Sequence, residues 1–335
     1  MANIVLTYKC NLNCPYCFAN EFVNKTSQSI SFEDFLKAYY FIKKTPQERI
    51  GIIGGEPTLH PDFEKIIKFL NLENKKDKFN IPIQIFTNGL EIDKYIDFLH
   101  KGNYSLLINC NSPDDIGPST YNKLRHNLLL LKKNFKNKYN IGINLYSNTM
   151  NYDYIFELLK ELKQKNLRLS MTVPNKVNDE PLTRENIYGK NKEFLFSVFK
   201  KCKDNNVTPF YDCNTFVSCL VDYENIQFLK SFKSQYNLLC YSSCKPIIDI
   251  LPDLQVIRCF GLSDYLKVSL IDFENLEELR KFFISEIDHY AKKIPNFTEC
   301  NSCKQMQLMD CYGGCLAYKV EKIEKYKKHC KSFAQ

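Results

Sequence analysis

Six short runs rich in branched aliphatic residues punctuate the first half of the chain, and they constrain its fold more than any other feature. They are NIVLTY (3–8), ERIGIIG (48–54), IPIQIFT (81–87), YSLLINC (104–110), NIGINLY (140–146) and LRLSMTV (167–173). Between them lie SFEDFLKAYYFIKK, PDFEKIIKFL, IDKYIDFLHK, STYNKLRHNLLLLKK and YDYIFELLKELKQK, whose apolar residues recur at helical spacing. Ser31 with Asp34, and Pro61, supply helix-start signals. Six β–α repeats predict an α/β fold with a parallel sheet and right-handed crossovers. Functional residues in such sheets gather at the carboxyl ends of the strands. Cys10 follows the first strand and Gly54-Gly55-Glu56-Pro57 follows the second, so both are expected on one rim.

The repeats end near residue 185. A helical and loop bridge is expected over 186–235, and a loop-rich, cysteine-rich domain over 236–335. In the latter, IIDILPDLQVIRC reads as a hairpin around Pro252-Asp253. NLEELRKFFISEIDHYAKK and LAYKVEKIEKYKKH read as helices.

Hydrophobic residues make up 44% of the 335 and charged residues 25%, the balance of an ordinary globular chain. No apolar run approaches the roughly 18–20 residues of a membrane helix, and the N-terminus lacks a signal-peptide pattern. The expected location is the cytoplasm. The net charge of +8 is dispersed over lysine-rich surfaces rather than gathered beside aromatic residues, which argues against nucleic acid and suits an acidic peptide. Fifteen cysteines without an export signal point to metal rather than disulfides, and to an anaerobic or strongly reducing cell.

Three of these cysteines, Cys10, Cys14 and Cys17, form C-x3-C-x2-C. Thiolates at this density favour zinc or iron–sulfur. A zinc knuckle would need a fourth Cys or His nearby, and none occurs before His60. A [4Fe–4S] cluster held by three thiolates would keep one iron open to another ligand. This loop, with Tyr16 before its last cysteine and GGEP at 54–57, resembles the radical S-adenosylmethionine (radical SAM) superfamily. The resemblance implies a partial (β/α)6 TIM-type barrel over 1–185. It also implies S-adenosylmethionine as the fourth ligand, with Gly54, Gly55 and Glu56 toward its methionine part and Tyr16 against the adenine. Asn88 and Asn109 are placed by the same resemblance at further rim contacts.

A second set comprises Cys240, Cys244, Cys259, Cys300, Cys303, Cys311, Cys315 and Cys330. Its order, with CYGGC at 311–315, is similar to the SPASM extension of that superfamily. By that likeness, Cys240, Cys244, Cys259 and Cys315 would hold one auxiliary [4Fe–4S] cluster, and Cys300, Cys303, Cys311 and Cys330 another, three clusters in all. The departures are Leu254 where the hairpin usually has glycine, a long Cys303–Cys311 interval, and Cys240 unusually close to Cys244. Two zinc ribbons are the alternative for this segment. Cys110, Cys202, Cys213 and Cys219 remain, read as buried small hydrophobes or as a hydrogen donor to a substrate radical.

The resemblance implies reductive cleavage of the cofactor and hydrogen abstraction by a 5′-deoxyadenosyl radical. The expected activity is cross-linking of a ribosomally made precursor peptide by a thioether, C–C or ether bond. A peptide epimerase is the alternative. A formylglycine maturase is disfavoured, because those enzymes follow the hairpin cysteine with Asp and here Phe260 follows Cys259. A non-enzymatic electron carrier or scaffold would be expected to close its first site. An external electron donor such as flavodoxin or ferredoxin is implied. Because the chain starts at its first strand, leader recognition is expected from a separate leader-peptide-binding protein or from direct substrate binding.

Overall fold

A computed structural model describes residues 1–26, 28–76, 81–135, 138–171, 183–189, 191–211, 217, 219, 221–232, 244–309 and 311–332 of the protein. Ten strands make one sheet: β1 Ala2–Val5, β2 Ile50–Ile53, β3 Ile83–Thr87, β4 Tyr104–Asn109, β5 Lys138–Leu145, β6 Asn166–Met171, β7 Thr208–Tyr211, β8 Ile248–Ile250, β9 Gln255–Ile257 and β10 Lys267–Ser269. Their order is β10-β9-β8-β1-β2-β3-β4-β5-β6-β7. From β1 to β7 every pairing is parallel, so the parallel sheet expected from the β–α alternation forms, in the order of the partial barrel that the resemblance implies. Among the described residues the sheet stays open, with β7 and β10 as edges.

Strand β2 is IGII with all four residues buried, as befits a strand covered on both faces. The helix Phe32–Lys43 buries Phe35, Ala38, Tyr39, Phe41 and Ile42, and Ser31 caps it by accepting the Asp34 N–H at 3.0 Å. Helices Phe63–Lys76, Pro118–Asn134, Asp153–Leu162 and Lys192–Asp204 complete the covering layer. IDKYIDFLHK is not one helix: a 3-10 turn, Ile92–Tyr95, precedes the short helix Ile96–Leu99.

The bridge supplies a seventh repeat, helix Lys192–Asp204 followed by β7. Pro209 hides this strand in the sequence, because proline cannot donate to a ladder; an edge strand tolerates it.

The cysteine-rich segment joins the same sheet rather than hanging from it. β8 pairs in parallel with the free side of β1, and β9 returns antiparallel to it. The hairpin turn puts Leu254 at φ +61°, the left-handed position for which the resemblance expects glycine. Further on, helix Leu276–Phe283, capped by Asn275, passes into a π-turn at Ile284–Asp288. The last helix is Val320–Ser332. Among the described residues no helix is long and apolar enough to cross a membrane.

Candidate active site

The loop leaving β1 is laced onto the end of β2. The Gly55 N–H donates to the Thr7 carbonyl and the Glu56 N–H to that of Lys9, both at 2.8 Å. A Cβ on Gly54 would lie 2.6 Å from the Thr7 carbonyl oxygen, and one on Gly55 2.4 Å from that of Lys9. Both positions therefore require glycine, and the backbone they approach is the chain's own. Their effect is to fix where Cys10 starts.

Glu56 is 1% exposed. Its Oε1 accepts from the Thr58 N–H (3.1 Å), Thr58 Oγ1 (2.6 Å) and Thr87 Oγ1 (2.7 Å), and its Oε2 accepts from the Asn88 N–H (2.7 Å). Burial raises its pKa and these donors work against the rise. Asn88 in turn donates from Nδ2 to Asn11 Oδ1 at 2.7 Å. The ends of β2 and β3 thus grip the cysteine loop.

Cys10, Cys14 and Cys17 are half-buried. Cys10 Sγ accepts from the Leu12 N–H (3.4 Å) and Cys14 Sγ from Asn111 Nδ2 (3.1 Å). The Cys17 N–H donates to the Cys14 carbonyl at 3.1 Å. Burial pushes all three thiols up, Cys10 to about 11, and each also feels another thiol of the group. At neutral pH they would be thiols without a metal, and a soft metal is what would deprotonate them. Among the described residues no three His, Cys, Asp or Glu side chains converge on a single-ion site. A cluster with one thiolate per iron does not ask for that convergence.

Tyr16 is buried, and its hydroxyl bonds Asn111 Oδ1 while receiving Asn109 Nδ2 at 2.7 Å. The ring lies 5.1 Å from that of Tyr146. Arg168 Nη1 donates to Asn144 Oδ1 (2.6 Å) and Asn144 Nδ2 to Asn109 Oδ1 (3.1 Å), which continues the chain of hydrogen bonds from β6 to Cys14. The rim therefore gathers Cys10, Cys14, Cys17, Tyr16, Gly54, Gly55, Glu56, Asn88 and Asn109. It adds Asn11, Thr87, Asn111, Asn144, Tyr146 and Arg168, which sequence reasoning missed. Asn144 and Arg168 lie on strands that also carry the polar residues Asn140, Asn166 and Ser170, so polarity alone does not single them out.

In the tail, the 3-10 turn Phe260–Leu262 after Cys259 packs on the turn Leu316–Lys319 after Cys315. Arg258 reaches both Cys244 and Cys259. Cys244, Cys259 and Cys315 thus share one neighbourhood. In the other group, Gly313 donates its N–H to Cys311 Sγ at 3.3 Å, and a Cβ there would stand 3.7 Å from Cys300 Sγ. Gly313 and Gly314 have φ of +74° and +95°, so CYGGC needs its glycines for the turn. The Cys303 N–H bonds the Cys300 carbonyl at 3.3 Å. Cys240 and Cys213 lie outside the described residues, and Cys330 is described only as part of a helix. Lys319 is fully buried and donates to the Ala291 and Ile294 carbonyls, both at 2.8 Å. Burial pulls its ammonium down to about 8 against the thiols of Cys300 and Cys311.

Cys110 and Cys202 sit in the main core at 1% and 0% exposure. They pack there as small hydrophobes. Cys219 is exposed and feels Arg184, Cys311 and Cys300.

Residues 4–142 match the sequence model of the radical SAM superfamily. The front of this chain is a radical SAM domain. The chain is thus an enzyme; S-adenosylmethionine and one [4Fe–4S] cluster are what that superfamily uses, and the three front thiols are suited to hold such a cluster. A curated relative, the 7,8-dihydro-6-hydroxymethylpterin dimethyltransferase of Methanocaldococcus jannaschii, is 37% identical over 103 residues, 30% of this chain and 19% of its own length. The chain spans about a fifth of that relative. Among solved structures, anSMEcpe with bound AdoMet aligns at a TM-score of 0.64 and 21% identity, covering 94% of this chain and 88% of its own. Streptococcus suis SuiB bound to precursor peptide SuiA aligns at 0.62 and 15%, covering 96% and 72%. With these two the chain shares its fold from the radical SAM domain through the cysteine-rich tail.

Proposed function

We propose that this radical SAM enzyme matures a ribosomally synthesised peptide, forming a thioether, C–C or ether cross-link, and that its tail holds two auxiliary [4Fe–4S] clusters. The observation that carries this reading is the way the tail is built onto the active rim. β8 extends the sheet from β1, and Phe260 packs on Phe18 and Phe22 of the front cysteine loop with ring centroids 5.0 and 6.1 Å apart. A second cysteine group beside the rim can receive an electron from an oxidised product or help hold a substrate, uses that cofactor cleavage alone does not need. The full-length likeness to SuiB, solved with a precursor peptide, and to anSMEcpe supports the same reading.

The bound S-adenosylmethionine and front cluster would supply the hydrogen-abstracting power; the chain supplies position and shelter. Cys10, Cys14 and Cys17 are three ligands for a four-iron cluster, leaving one position for the cofactor. Glu56 and Asn88 fix the ends of β2 and β3 at that position, and Gly54 and Gly55 hold the loop in register with them. Tyr16 and Tyr146 offer aromatic faces, and Asn109 orients the Tyr16 hydroxyl. The electron donor and any leader-binding protein belong to the same proposal.

The test begins with anaerobic purification and a count of iron, sulfide and zinc, followed by dithionite and S-adenosylmethionine. About twelve irons per chain, three cubanes of four, with release of 5′-deoxyadenosine is the expected result. Zinc in the tail would sink the auxiliary-cluster reading. Any small open reading frame found transcribed beside this one is then co-expressed, and its product examined by mass spectrometry. Loss of two hydrogens per cross-link is expected; an unmodified peptide together with turnover of a pterin or nucleotide would replace the peptide reading by a small-molecule one.

A further inference from the structure

We propose that Arg258, clamped by Asp288, is a positioning residue for the auxiliary cluster, holding the Cys244 and Cys259 sulfurs and raising that cluster's reduction potential. The proposal rests on the reading of those cysteines as cluster ligands.

Arg258 and Asp288 are each 1% exposed. One edge of the guanidinium is spent on the carboxylate: Nε donates to Asp288 Oδ2 at 2.6 Å and Nη2 to Oδ1 at 2.7 Å. The other edge faces cysteine. Nη1 lies 3.5 Å from Cys244 Sγ and 3.9 Å from Cys259 Sγ; Nη2 lies 3.5 Å from Cys244 Sγ and 3.1 Å from the Cys244 carbonyl oxygen. A neutral thiol is a weak acceptor. Two thiols would therefore leave Nη1, a buried charged donor, poorly satisfied, which is costly. Metal-bound thiolates would satisfy it.

A buried Arg–Asp pair is also a poor device for stability alone, since apolar residues often serve as well. What this pair adds is direction, because the planar fork fixes Nη1 toward the sulfurs once Asp288 holds the other edge. Asp288 is the last residue of the Ile284–Asp288 π-turn. Such turns inside helices are often found at functional sites.

Reduction adds an electron to a cluster whose thiolates are already negative. N–H donors to sulfur stabilise that extra charge and move the potential upward. Asp288 compensates the long-range charge of Arg258, so the hydrogen bonds carry the effect.

The test uses full-length chain reconstituted anaerobically, comparing Arg258→Gln, Arg258→Lys and Asp288→Asn with the parent. Cys244→Ala and Cys259→Ala serve as cluster controls. Midpoint potentials are read by EPR during redox titration, and cluster hold by iron release to a chelator. Arg258→Gln is expected to shift one auxiliary midpoint downward and to speed release of about four irons about tenfold, the worth of one hydrogen bond to a charged group. Arg258→Lys keeps the charge without the fork and should give a smaller shift. Asp288→Asn keeps Arg258 but loosens its clamp, and should also shift the same midpoint. If every folded variant keeps the parent's midpoint and release rate, the proposal is overturned. Full iron content in both cysteine variants would overturn the cluster reading itself, a separately visible failure.

Discussion

The front and tail cysteine groups differ in the donors that face their sulfurs. The front sulfurs accept only from neutral donors among the contacts described, the Leu12 N–H on Cys10 and the Asn111 amide on Cys14. The charged groups felt there are anionic, Glu56 at Cys10 and Asp115 at Cys14. Each tail group instead has a buried basic side chain: Arg258, paired with Asp288, donates toward Cys244 and Cys259, and Lys319 lies near Cys300, Cys311 and Cys315. N–H donors to sulfur favour adding an electron, and charged donors do so more strongly than neutral ones. On the proposed function, the first environment suits a cluster that reduces a sulfonium and the second suits clusters that take electrons back.

The largest expected effect would break the comparison outright. Replacing Cys10, Cys14 and Cys17 together with Ala should abolish 5′-deoxyadenosine formation while the tail keeps about eight irons. Coupled iron analysis and chromatography check this. Loss of all iron would show one interdependent assembly in place of two separate environments.

Next comes the cost of removing an electrostatic partner from each region. Asp288→Ala leaves Arg258 buried without its carboxylate and should cost about 3–5 kcal/mol. Asn111→Ala removes a neutral amide from Cys14 and its neighbours and should cost about 1–2 kcal/mol. Urea unfolding of the iron-free chain measures both, and equal losses would erase the distinction drawn between the regions.

How much of the fold and the site is legible in the sequence depends on the kind of signal each part leaves. Apolar periodicity marks β1 to β6, and the cysteine spacing with GGEP marks the front rim, because both are local patterns. The hairpin of β8 and β9 is legible too, from the turn residues between two apolar runs. Its pairing to β1 is not, since strand partnership across more than 240 residues leaves no spacing to read. β7 is lost to Pro209. The Arg258–Asp288 clamp joins residues 30 apart across a π-turn that no helical period announces. Gly54 and Gly55 are legible as part of GGEP, but the close approach of the Thr7–Lys9 backbone that requires glycine there is not.

Asp249 sharpens the comparison, because it is a carboxylate on the tail side. It is 3% exposed and accepts from Asn3 Nδ2 at 2.6 Å. Burial, only partly offset by that bond and the Phe260 N–H, pushes its pKa from 3.8 up to about 7. The folded form thus binds the proton more tightly than the unfolded chain. Stability from this group is full below about 3.8 and is lost as pH rises through about 7. Asp249→Asn should remove that slope and stabilise the iron-free chain at pH 8 by on the order of 2 kcal/mol. Stability curves taken between pH 5 and 8 would count against a protonated Asp249 if parent and variant ran parallel.

Leu254 offers the smallest effect and asks whether the tail hairpin tolerates its departure from glycine. At φ +61° a leucine backbone is strained by about 1–2 kcal/mol. Its side chain is half-buried against the core, and that packing is worth about 1 kcal/mol, half of a full leucine burial. Leu254→Gly trades one for the other and adds the entropy of a freer unfolded chain, about 0.5–1 kcal/mol. The terms nearly cancel, so denaturation midpoints should stay within about 1 kcal/mol of the parent. A loss well beyond that would mean that packing under the hairpin, rather than backbone freedom, positions Cys259. A clear gain would mean that strain at this turn weakens the tail relative to the front.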